Sequence, residues 1–120
     1  FQKEPNAQSK LVSVQKGKVL DVVVDIRKNS EFYGKHFSIE LDDLSNKHLF
    51  IPRGFAHGFI VLSNIARVSY KVDNYYNPNS EEGLNYNDPK LDIDWKINKK
   101  DIIINEKDLS YSDFNSIDFI

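Results

Sequence analysis

Apolar and polar residues alternate with a period of two over most of the chain before residue 85, and helical periodicity is almost absent there. The clearest alternation lies between Gly17 and Arg27, where the even positions are apolar and the odd positions mix apolar with charged residues. The apolar even positions are Leu20, Val22, Val24 and Ile26. Because successive side chains of a strand point to opposite faces, this pattern predicts a strand with one packed face and one face toward a polar environment.

Further segments with the same alternation are separated by turn residues, among them Gly17 and the Pro-x-Gly sequence at residues 52–54. The strands predicted in this way run over Leu11 to Gln15, Lys35 to Leu41, His48 to Ile51, Gly58 to Leu62 and Ala66 to Asn74. Short strands with regular turn signals are typical of β-sandwiches and jelly rolls. We therefore predict an all-β domain.

The composition changes after Tyr76, where Asn, Asp and Pro become frequent. The segments Asn77 to Ser80 and Asn85 to Pro89 consist of residues that favour turns. Farther along, Asp101 to Ile104 contains a run of isoleucines, which predicts an edge strand that closes the sheet. We expect residues 1–120 to form a single domain with a loop-rich, partly helical C-terminal tail.

Composition narrows the classes of function. A chain of 120 residues buries roughly 65% of its unfolded surface, which is enough for a core without disulfides. The absence of Cys excludes a thiol nucleophile, and a net charge of −2 without a run of Lys or Arg argues against a nucleic-acid partner. The most apolar stretch, Lys18 to Ile26, is too short and too charged to span a bilayer, so we expect no membrane partner.

The chain begins with Phe1 and contains no Met, whereas a ribosomal product begins with Met. We therefore expect the chain to be incomplete at its N-terminus. Because the N-terminal residues that would carry a targeting signal are expected to be missing, we predict a cytoplasmic location from the chemistry described below.

His57 is the histidine with the most informative surroundings. The Pro-x-Gly turn at residues 52–54 precedes it, Gly58 follows it, and an apolar strand begins there. This placement aims a side chain into a barrel and makes His57 a candidate site residue. The alternative is a core histidine bonded to a carboxylate such as Asp21, and the residues alone leave both open.

The histidine spacing argues against a metal site. Residues 52–57 resemble half of the metal-binding signature of cupins, but the His-x-His pair and its following Glu are missing. A first-row metal needs about three protein ligands, and the histidines lie at the separated positions 36, 48 and 57. We therefore predict no metal, and we predict surface positions for His36 and His48, which lie among polar residues.

Tyr70 shares a predicted strand face with Ala66, Val68 and Val72. A strand tyrosine usually packs against its neighbours. A phenol is nevertheless an acid that can protonate a developing enolate, and a neighbouring cation makes it a stronger acid. Lys10, at the head of an apolar strand, is the candidate neighbour, although an ordinary strand-edge lysine has the same pattern.

Several motifs together resemble the dTDP-4-dehydrorhamnose 3,5-epimerase family, in order and without large gaps. They are the segments Asn6 to Val12, Gly17 to Arg27, Leu49 to Phe59, Tyr70 to Lys71, Asn74 to Tyr76, Asn87 to Pro89, Ile93 to Trp95 and Lys107 to Asp108. The resemblance covers the chain from Phe1 to about Asp108. The ordered set of motifs makes it specific.

This resemblance implies a cupin-like jelly roll, or double-stranded β-helix, in a homodimer that exchanges N-terminal strands and uses no metal or cofactor. It implies a dTDP-sugar substrate, dTDP-4-dehydro-6-deoxy-D-glucose, epimerised at C3 and C5 through an enolate to dTDP-4-dehydro-L-rhamnose on the route to dTDP-L-rhamnose. The family's base is the histidine of an Arg-Gly-Leu-His-(Phe/Tyr)-Gln segment. Phe1-Gln2 resembles the end of that segment, so the base is expected one residue before this chain.

The resemblance also implies roles for individual residues. Tyr70 matches the proton donor, Asp108 the carboxylate that pairs with the base, and Lys10 the lysine near the ketone oxygen. The expected substrate-binding residues are His57, Glu81, Lys107 and Asp21. The sequence departs from the family at Ser9, Arg53 and Tyr86, where Gly, Glu and Trp are usual.

Other functions remain open on the sequence. A related sugar-nucleotide mono-epimerase or ketoisomerase could keep the same residues. A non-catalytic cupin that binds sugar nucleotides is an alternative of a different class, and a metal-dependent cupin oxygenase is a third. Exchange of substrate protons with solvent and metal content distinguish these alternatives.

Overall fold

The computed structural model describes residues 1–117. Within them, six strands form two three-stranded antiparallel sheets, ordered β4-β1-β6 and β3-β2-β5. The strands are β1 (Lys10–Lys16), β2 (Lys18–Asp25), β3 (His36–Asp42), β4 (Leu49–Ile51), β5 (Phe55–Val61) and β6 (Arg67–Val72). The all-β prediction is confirmed, because every predicted strand before residue 75 is present with small changes at its ends.

The core lies between the two sheets and consists of alternate residues from each strand. Its buried members are Val12, Val14, Val19, Val23, Leu41 and Ile51. Each such aliphatic side chain stabilises the fold by about 1.5–3 kcal/mol when it is removed from water. Alternating side chains therefore hold the sheets together, although in β2 these are the odd positions Val19 and Val23 and not the even positions.

The prediction that β2 has one polar-facing side is wrong. Its odd positions face the other sheet, and Asp21 and Asp25 on that face are buried to 0% and 2% exposure. Its even positions are also buried, because the C-terminal tail folds over them. A strand covered on both faces has no solvated side, so the charged residues of β2 mark buried polar contacts instead.

The tail covers the outer face of β2 through a second buried cluster. The cluster contains Val24, Ile26, Ala56, Leu91 and Phe114. Asp88 holds the tail in place, since its buried carboxylate accepts hydrogen bonds from the backbone N–H of Phe114 at 2.7 Å and of Lys90 at 2.8 Å. Carboxylates that accept backbone hydrogen bonds are strong local anchors.

The tail is loop-rich and partly helical, as predicted. One α-helical turn, α1 (Glu106–Leu109), is accompanied by 3-10 turns at Pro78–Ser80, Lys99–Asp101 and Phe114–Ser116. The predicted edge strand from Asp101 to Ile104 is wrong, because Asp101 ends a 3-10 turn and residues 102–104 pair with no strand among the described residues. The isoleucines line a cavity instead of extending a sheet.

The turn before β5 determines where that strand begins. Gly54 has φ +91°, and a Cβ there would lie 2.5 Å from Cγ of Arg27, so the turn requires glycine. β5 begins at Phe55, three positions before the predicted start at Gly58. His36 and His48 are exposed, as predicted. Within residues 1–117, no helix is long and apolar enough to cross a membrane.

Candidate active site

A cavity of about 490 Å³ lies among the edge strands β5 and β6, the start of β1 and the tail. This volume is in the range of small-molecule sites. The predicted site residues that line it are Lys10, His57, Tyr70, Glu81 and Asp108. The fold therefore brings together five of the seven predicted residues, which the chain supplies from three strands and two parts of the tail.

Lys10 and Tyr70 are neighbours because β1 and β6 are antiparallel. Val12 pairs with Tyr70, and Lys10, two positions before Val12, pairs with Val72. Because residues two apart share one face of a strand, the side chains of Lys10 and Tyr70 project from the same face of the two strands. The Lys10 Nζ atom lies 5.7 Å from the centre of the Tyr70 ring, within reach of a cation–π contact. Tyr70 is 55% exposed, which leaves the phenol open to the cavity.

Opposing influences act on the Lys10 ammonium. Burial lowers the pKa of Lys10, while the negative charges of Asp21 and Glu81 raise it. Because the charged form loses hydration in a buried site, the carboxylates are what keep the ammonium favourable there. Lys10 is thus a cation whose charge depends on two neighbouring acids.

His57 and Asp21 form a buried pair. In the register of β2 and β5, His57 lies opposite Val23 and Asp21 opposite Phe59, so the two are diagonal neighbours on one face. His57 Nε2 lies 2.8 Å from Asp21 Oδ1, and the side chains are 6% and 0% exposed. The contact is close but misaligned, since neither atom makes a hydrogen bond of acceptable geometry. His57 thus lines the cavity and also contacts Asp21.

Glu81 joins two side chains at the cavity wall. Its Oε2 atom accepts hydrogen bonds from Lys107 Nζ and from the Tyr76 hydroxyl, each at 2.7 Å. The bond from Lys107, followed by that from Tyr76, lowers the pKa of Glu81, and the same carboxylate raises the pKa of Lys107. Lys107 does not line the cavity itself but is tied to it through Glu81.

Asp108 lies in α1, on the tail side of the cavity. Asn105 caps this helix, since its side-chain oxygen accepts the backbone N–H of Asp108 at 2.8 Å. The cap fixes the start of the helical turn and so the place of Asp108. Asp21, in contrast, is covered completely and is absent from the cavity wall.

Some lining residues had no predicted role. Tyr86, Trp95 and Tyr111 are aromatic residues of the tail that face the cavity. Trp95 donates its indole N–H to the carbonyl of Tyr86 at 2.8 Å. Their signal in the sequence is a concentration of aromatics in a segment otherwise rich in loop residues, which favours ligand contact over core packing.

Ser9 and Arg53, two of the departures from the family, lie in one polar cluster. Asp73 accepts the backbone N–H of Ser9 at 2.8 Å and lies 3.3 Å from the Arg53 guanidinium. This cluster joins the end of β6 to the start of β1. None of its three residues lines the cavity that contains Lys10.

The chemistry of the cavity is that of proton transfer. The Tyr70 phenol and the Lys10 ammonium are neighbours, and the same cavity is lined by the imidazole of His57 and the carboxylates of Glu81 and Asp108. Among residues 1–117, no group of three His, Cys, Asp or Glu side chains is arranged to hold a metal ion. The side chains present are those that general acid–base catalysis uses.

Comparison with known sequences decides the family. The family model described as dTDP-4-dehydrorhamnose 3,5-epimerase matches residues 1–116. The chain belongs to this family. An epimerase of the same name from Methanothermobacter thermautotrophicus is 44% identical over 112 residues, which are 92% of this chain and 60% of that protein.

Solved structures of epimerases agree with this membership. The dTDP-4-dehydrorhamnose 3,5-epimerase of Elizabethkingia anophelis has a TM-score of 0.94 and 50% identity, over 96% of this chain and 63% of that one. The dTDP-6-deoxy-D-glucose-3,5-epimerase of Legionella pneumophila, in complex with dTDP-4-keto-L-rhamnose, has a TM-score of 0.92 and 41% identity, over 98% and 62%. The cupin-like fold predicted for the epimerase family is therefore confirmed, and the chain spans about 60% of the length of these relatives.

Proposed function

We propose that the protein containing this chain is a dTDP-4-dehydrorhamnose 3,5-epimerase. It would convert dTDP-4-dehydro-6-deoxy-D-glucose to dTDP-4-dehydro-L-rhamnose, the ketone that leads to dTDP-L-rhamnose. The observation that carries this proposal is the meeting of Lys10, Tyr70 and Asp108 at one cavity in the fold of the epimerase family. The sugar-nucleotide ketone bound in the Legionella pneumophila relative supports the same substrate class.

The chemistry of a C4 ketone explains how an acid and a base in one cavity can invert both C3 and C5. The carbonyl acidifies the protons on both neighbouring carbons, C3 and C5, so each can leave to form an enolate. A base on one face of the ring and an acid on the other then invert each centre in turn. Each positioned acid or base contributes about 10²- to 10⁴-fold, and a charged group fixed beside the enolate oxygen about 10²- to 10³-fold.

In this mechanism Tyr70 delivers the proton to the face opposite the base. The Lys10 ammonium stands beside the enolate oxygen and stabilises its negative charge. Asp108 orients the family's histidine base, expected before Phe1, and stabilises the imidazolium that forms, as carboxylates do in hydrolase triads. The 5.7 Å separation of Lys10 Nζ from the Tyr70 ring supports the joint action of these two groups at one carbonyl.

The remaining site residues are proposed to bind the substrate. Glu81 and Lys107 form a linked pair at the cavity wall, with the Tyr76 hydroxyl on the same carboxylate oxygen. Such a pair offers both a hydrogen-bond acceptor and a cation to a nucleotide sugar. His57, at the inner wall, is proposed to contact the sugar ring.

Incubation with substrate in D₂O tests the enolate route. The protein is expressed from its complete gene, and the product is analysed by NMR. We expect deuterium at both C3 and C5. Deuterium at one carbon alone would identify a mono-epimerase, and a product or recovered substrate without deuterium would contradict the mechanism and favour a non-catalytic sugar-nucleotide binder.

We also propose that the active protein is a cytoplasmic homodimer. Strands β5 and β6 end their sheets beside the cavity, and an uncovered sheet edge tends to associate with further strands. Light scattering coupled to size-exclusion chromatography measures the mass of the particle. A monomer at micromolar concentration would contradict the dimer.

A further inference from the structure

Two buried aspartates of β2 differ in how their charges are compensated. Asp25 is bonded to the Arg27 guanidinium through both carboxylate oxygens, at 2.9 and 2.7 Å, and to the Ser30 hydroxyl at 2.6 Å. Asp21 is fully buried, and neither of its oxygens has a hydrogen bond of good geometry within residues 1–117. An uncompensated buried carboxylate is unfavourable, so the place of Asp21 calls for a compensating positive group.

Asp21 contacts one cavity residue, His57, and acts electrostatically on another, Lys10. His57 Nε2 lies 2.8 Å from Asp21 Oδ1, and the charge of Asp21 acts on the Lys10 ammonium by raising its pKa. Glu81 acts on Lys10 in the same direction, but it already has a cation, Lys107 Nζ, at 2.7 Å. Asp21 is therefore the carboxylate whose negative charge is compensated by Lys10 and His57.

In this structure Asp21 cannot contact a ligand in the cavity directly. Its side chain is 0% exposed and does not belong to the cavity wall, whereas His57 and Lys10 do. A carboxylate placed behind a histidine fixes the orientation of the ring and which nitrogen carries the proton. Asp21 can thus act on a bound ligand only through its neighbours.

We propose that Asp21 is a positioning residue of the site: it orients the His57 ring and supplies the buried counter-charge of Lys10. The Lys10 ammonium then presents its N–H groups to the ketone oxygen of the bound sugar, while the His57 ring is held with Nε2–H toward Asp21. This inference rests on the proposed epimerase function and refines it. It also replaces the expectation that Asp21 binds substrate directly with a role exerted through two cavity residues.

The misaligned contact between Asp21 and His57 agrees with this role. Hydrogen bonds between catalytic groups are often poorly aligned before substrate binds and become linear in the complex. At 2.8 Å, His57 Nε2 and Asp21 Oδ1 are already at hydrogen-bonding distance. Asp21 and His57 lie on adjacent strands, which hold the pair together.

The pH dependence of the rate involves the titratable groups that act on Lys10 or line the cavity with it. Asp21 and Glu81 act on its charge, and the cavity is also lined by His57, Tyr70, Glu82, Tyr86, Asp108 and Tyr111. Removing the charge of Asp21 lowers the pKa of Lys10, because burial then opposes the ammonium with less compensation. Activity that requires the ammonium is consequently lost at a lower pH on the alkaline side.

The test compares Asp21→Asn with the matched control Asp25→Asn, in the protein expressed from its complete gene. Asparagine keeps the shape of each side chain and removes its charge. For Asp21→Asn we expect kcat to fall about 10- to 100-fold, KM to change less than about threefold, and the alkaline limb of the kcat profile to move to lower pH. Asp25→Asn should lower thermal stability and leave the pH profile in place.

Each outcome has a distinct meaning. A wild-type protein that incorporates no deuterium contradicts the proposed function itself. An active wild type with an Asp21→Asn variant of unchanged kcat and pH profile overturns the positioning role alone. A loss confined to stability, equal to that of Asp25→Asn, also overturns it.

A measurement on the wild type keeps the inference testable if Asp21→Asn fails to fold. ¹⁵N-histidine NMR reports which nitrogen of the His57 ring carries a proton, after assignment with a His57→Gln variant. With dTDP-sugar bound, we expect the proton on Nε2, facing Asp21. A bare Nε2 nitrogen in that complex would overturn the inference.

Discussion

The two buried clusters of this chain are held in different ways. Between the sheets, alternate apolar residues of four strands pack against one another. Beneath the tail, Leu91 and Phe114 cover β2 and β5, and hydrogen bonds from the buried Asp88 fix their place. The sheets thus depend on a repeated pattern, and the tail depends on a few specific bonds.

The cavity joins these two regions. Lys10, His57 and Tyr70 project from strands, whereas Glu81 and Asp108 come from the tail. Groups on strands are held by a packed core, and groups on loops are held by fewer contacts. We therefore expect substitutions in the sheets to affect the chemistry or the whole fold, and substitutions in the tail to affect the closing wall of the cavity.

The largest expected effect is that of Tyr70→Phe on the strand side. Loss of the phenolic proton should lower kcat by about 10²- to 10⁴-fold, because a positioned acid contributes that much. KM and the thermal midpoint should change little, since Tyr70 is 55% exposed. Tyr33 packs on Phe114 and does not line the cavity. Tyr33→Phe is therefore the control and should leave kcat unchanged. Wild-type turnover by Tyr70→Phe would remove this residue from the mechanism.

Leu41→Ala tests the cluster between the sheets. Leu41 is 0% exposed, and a cavity left by such a truncation costs about 2–5 kcal/mol of the free energy of unfolding. Because the core is shared by both sheets, unfolding should remain a single transition in urea. Leu44→Ala, at a residue 86% exposed, should change stability by less than about 0.5 kcal/mol. Equal effects for the two variants would contradict the assigned core.

Asp88→Ala tests the anchor of the tail. The variant leaves the backbone N–H groups of Phe114 and Lys90 without their acceptor, at a cost of about 2–3 kcal/mol. Hydrogen exchange should accelerate in the tail and remain slow in β2. Asp101→Ala, at an exposed tail position, is the control. Uniform acceleration across both sheets would show that the two regions unfold as one.

Acid unfolding gives the smallest expected effect and concerns the buried Asp25 and its exposed partner Arg27. The hydrogen bonds from Arg27, ahead of that from Ser30, lower the pKa of Asp25 from 3.8 to about 2. A lowered carboxyl pKa contributes stability that is present above the unfolded value and is lost as the pH falls through the folded value. Between pH 4 and pH 2 the free energy of unfolding should therefore decrease by about 2 kcal/mol through this group. Chemical denaturation at several pH values measures it, and an equal decrease in Asp25→Asn would contradict the assignment.

Several site residues could be found in the sequence because they belong to ordered motifs. Lys10, His57, Tyr70, Glu81 and Asp108 were all predicted and line one cavity. The contact of Lys107 with Glu81 could not be predicted, because it depends on a distance between distant parts of the chain, and the residues alone left the pairing of His57 with Asp21 open. The same limit applies to the isoleucines at residues 102–104. Their apolar run predicted a strand, but in the folded chain they line the cavity.

Local patterns in the sequence were enough to predict all six strands at nearly their observed residues, and the motifs were enough to predict the family. These depend on local alternation, turn residues and motifs, which each segment carries in its own residues. Three features became visible in the folded molecule alone: both faces of β2 are buried, the tail completes the cavity, and particular carboxylates have cations beside them. Burial and charge compensation arise from packing between segments far apart in the chain, so a local pattern does not contain them.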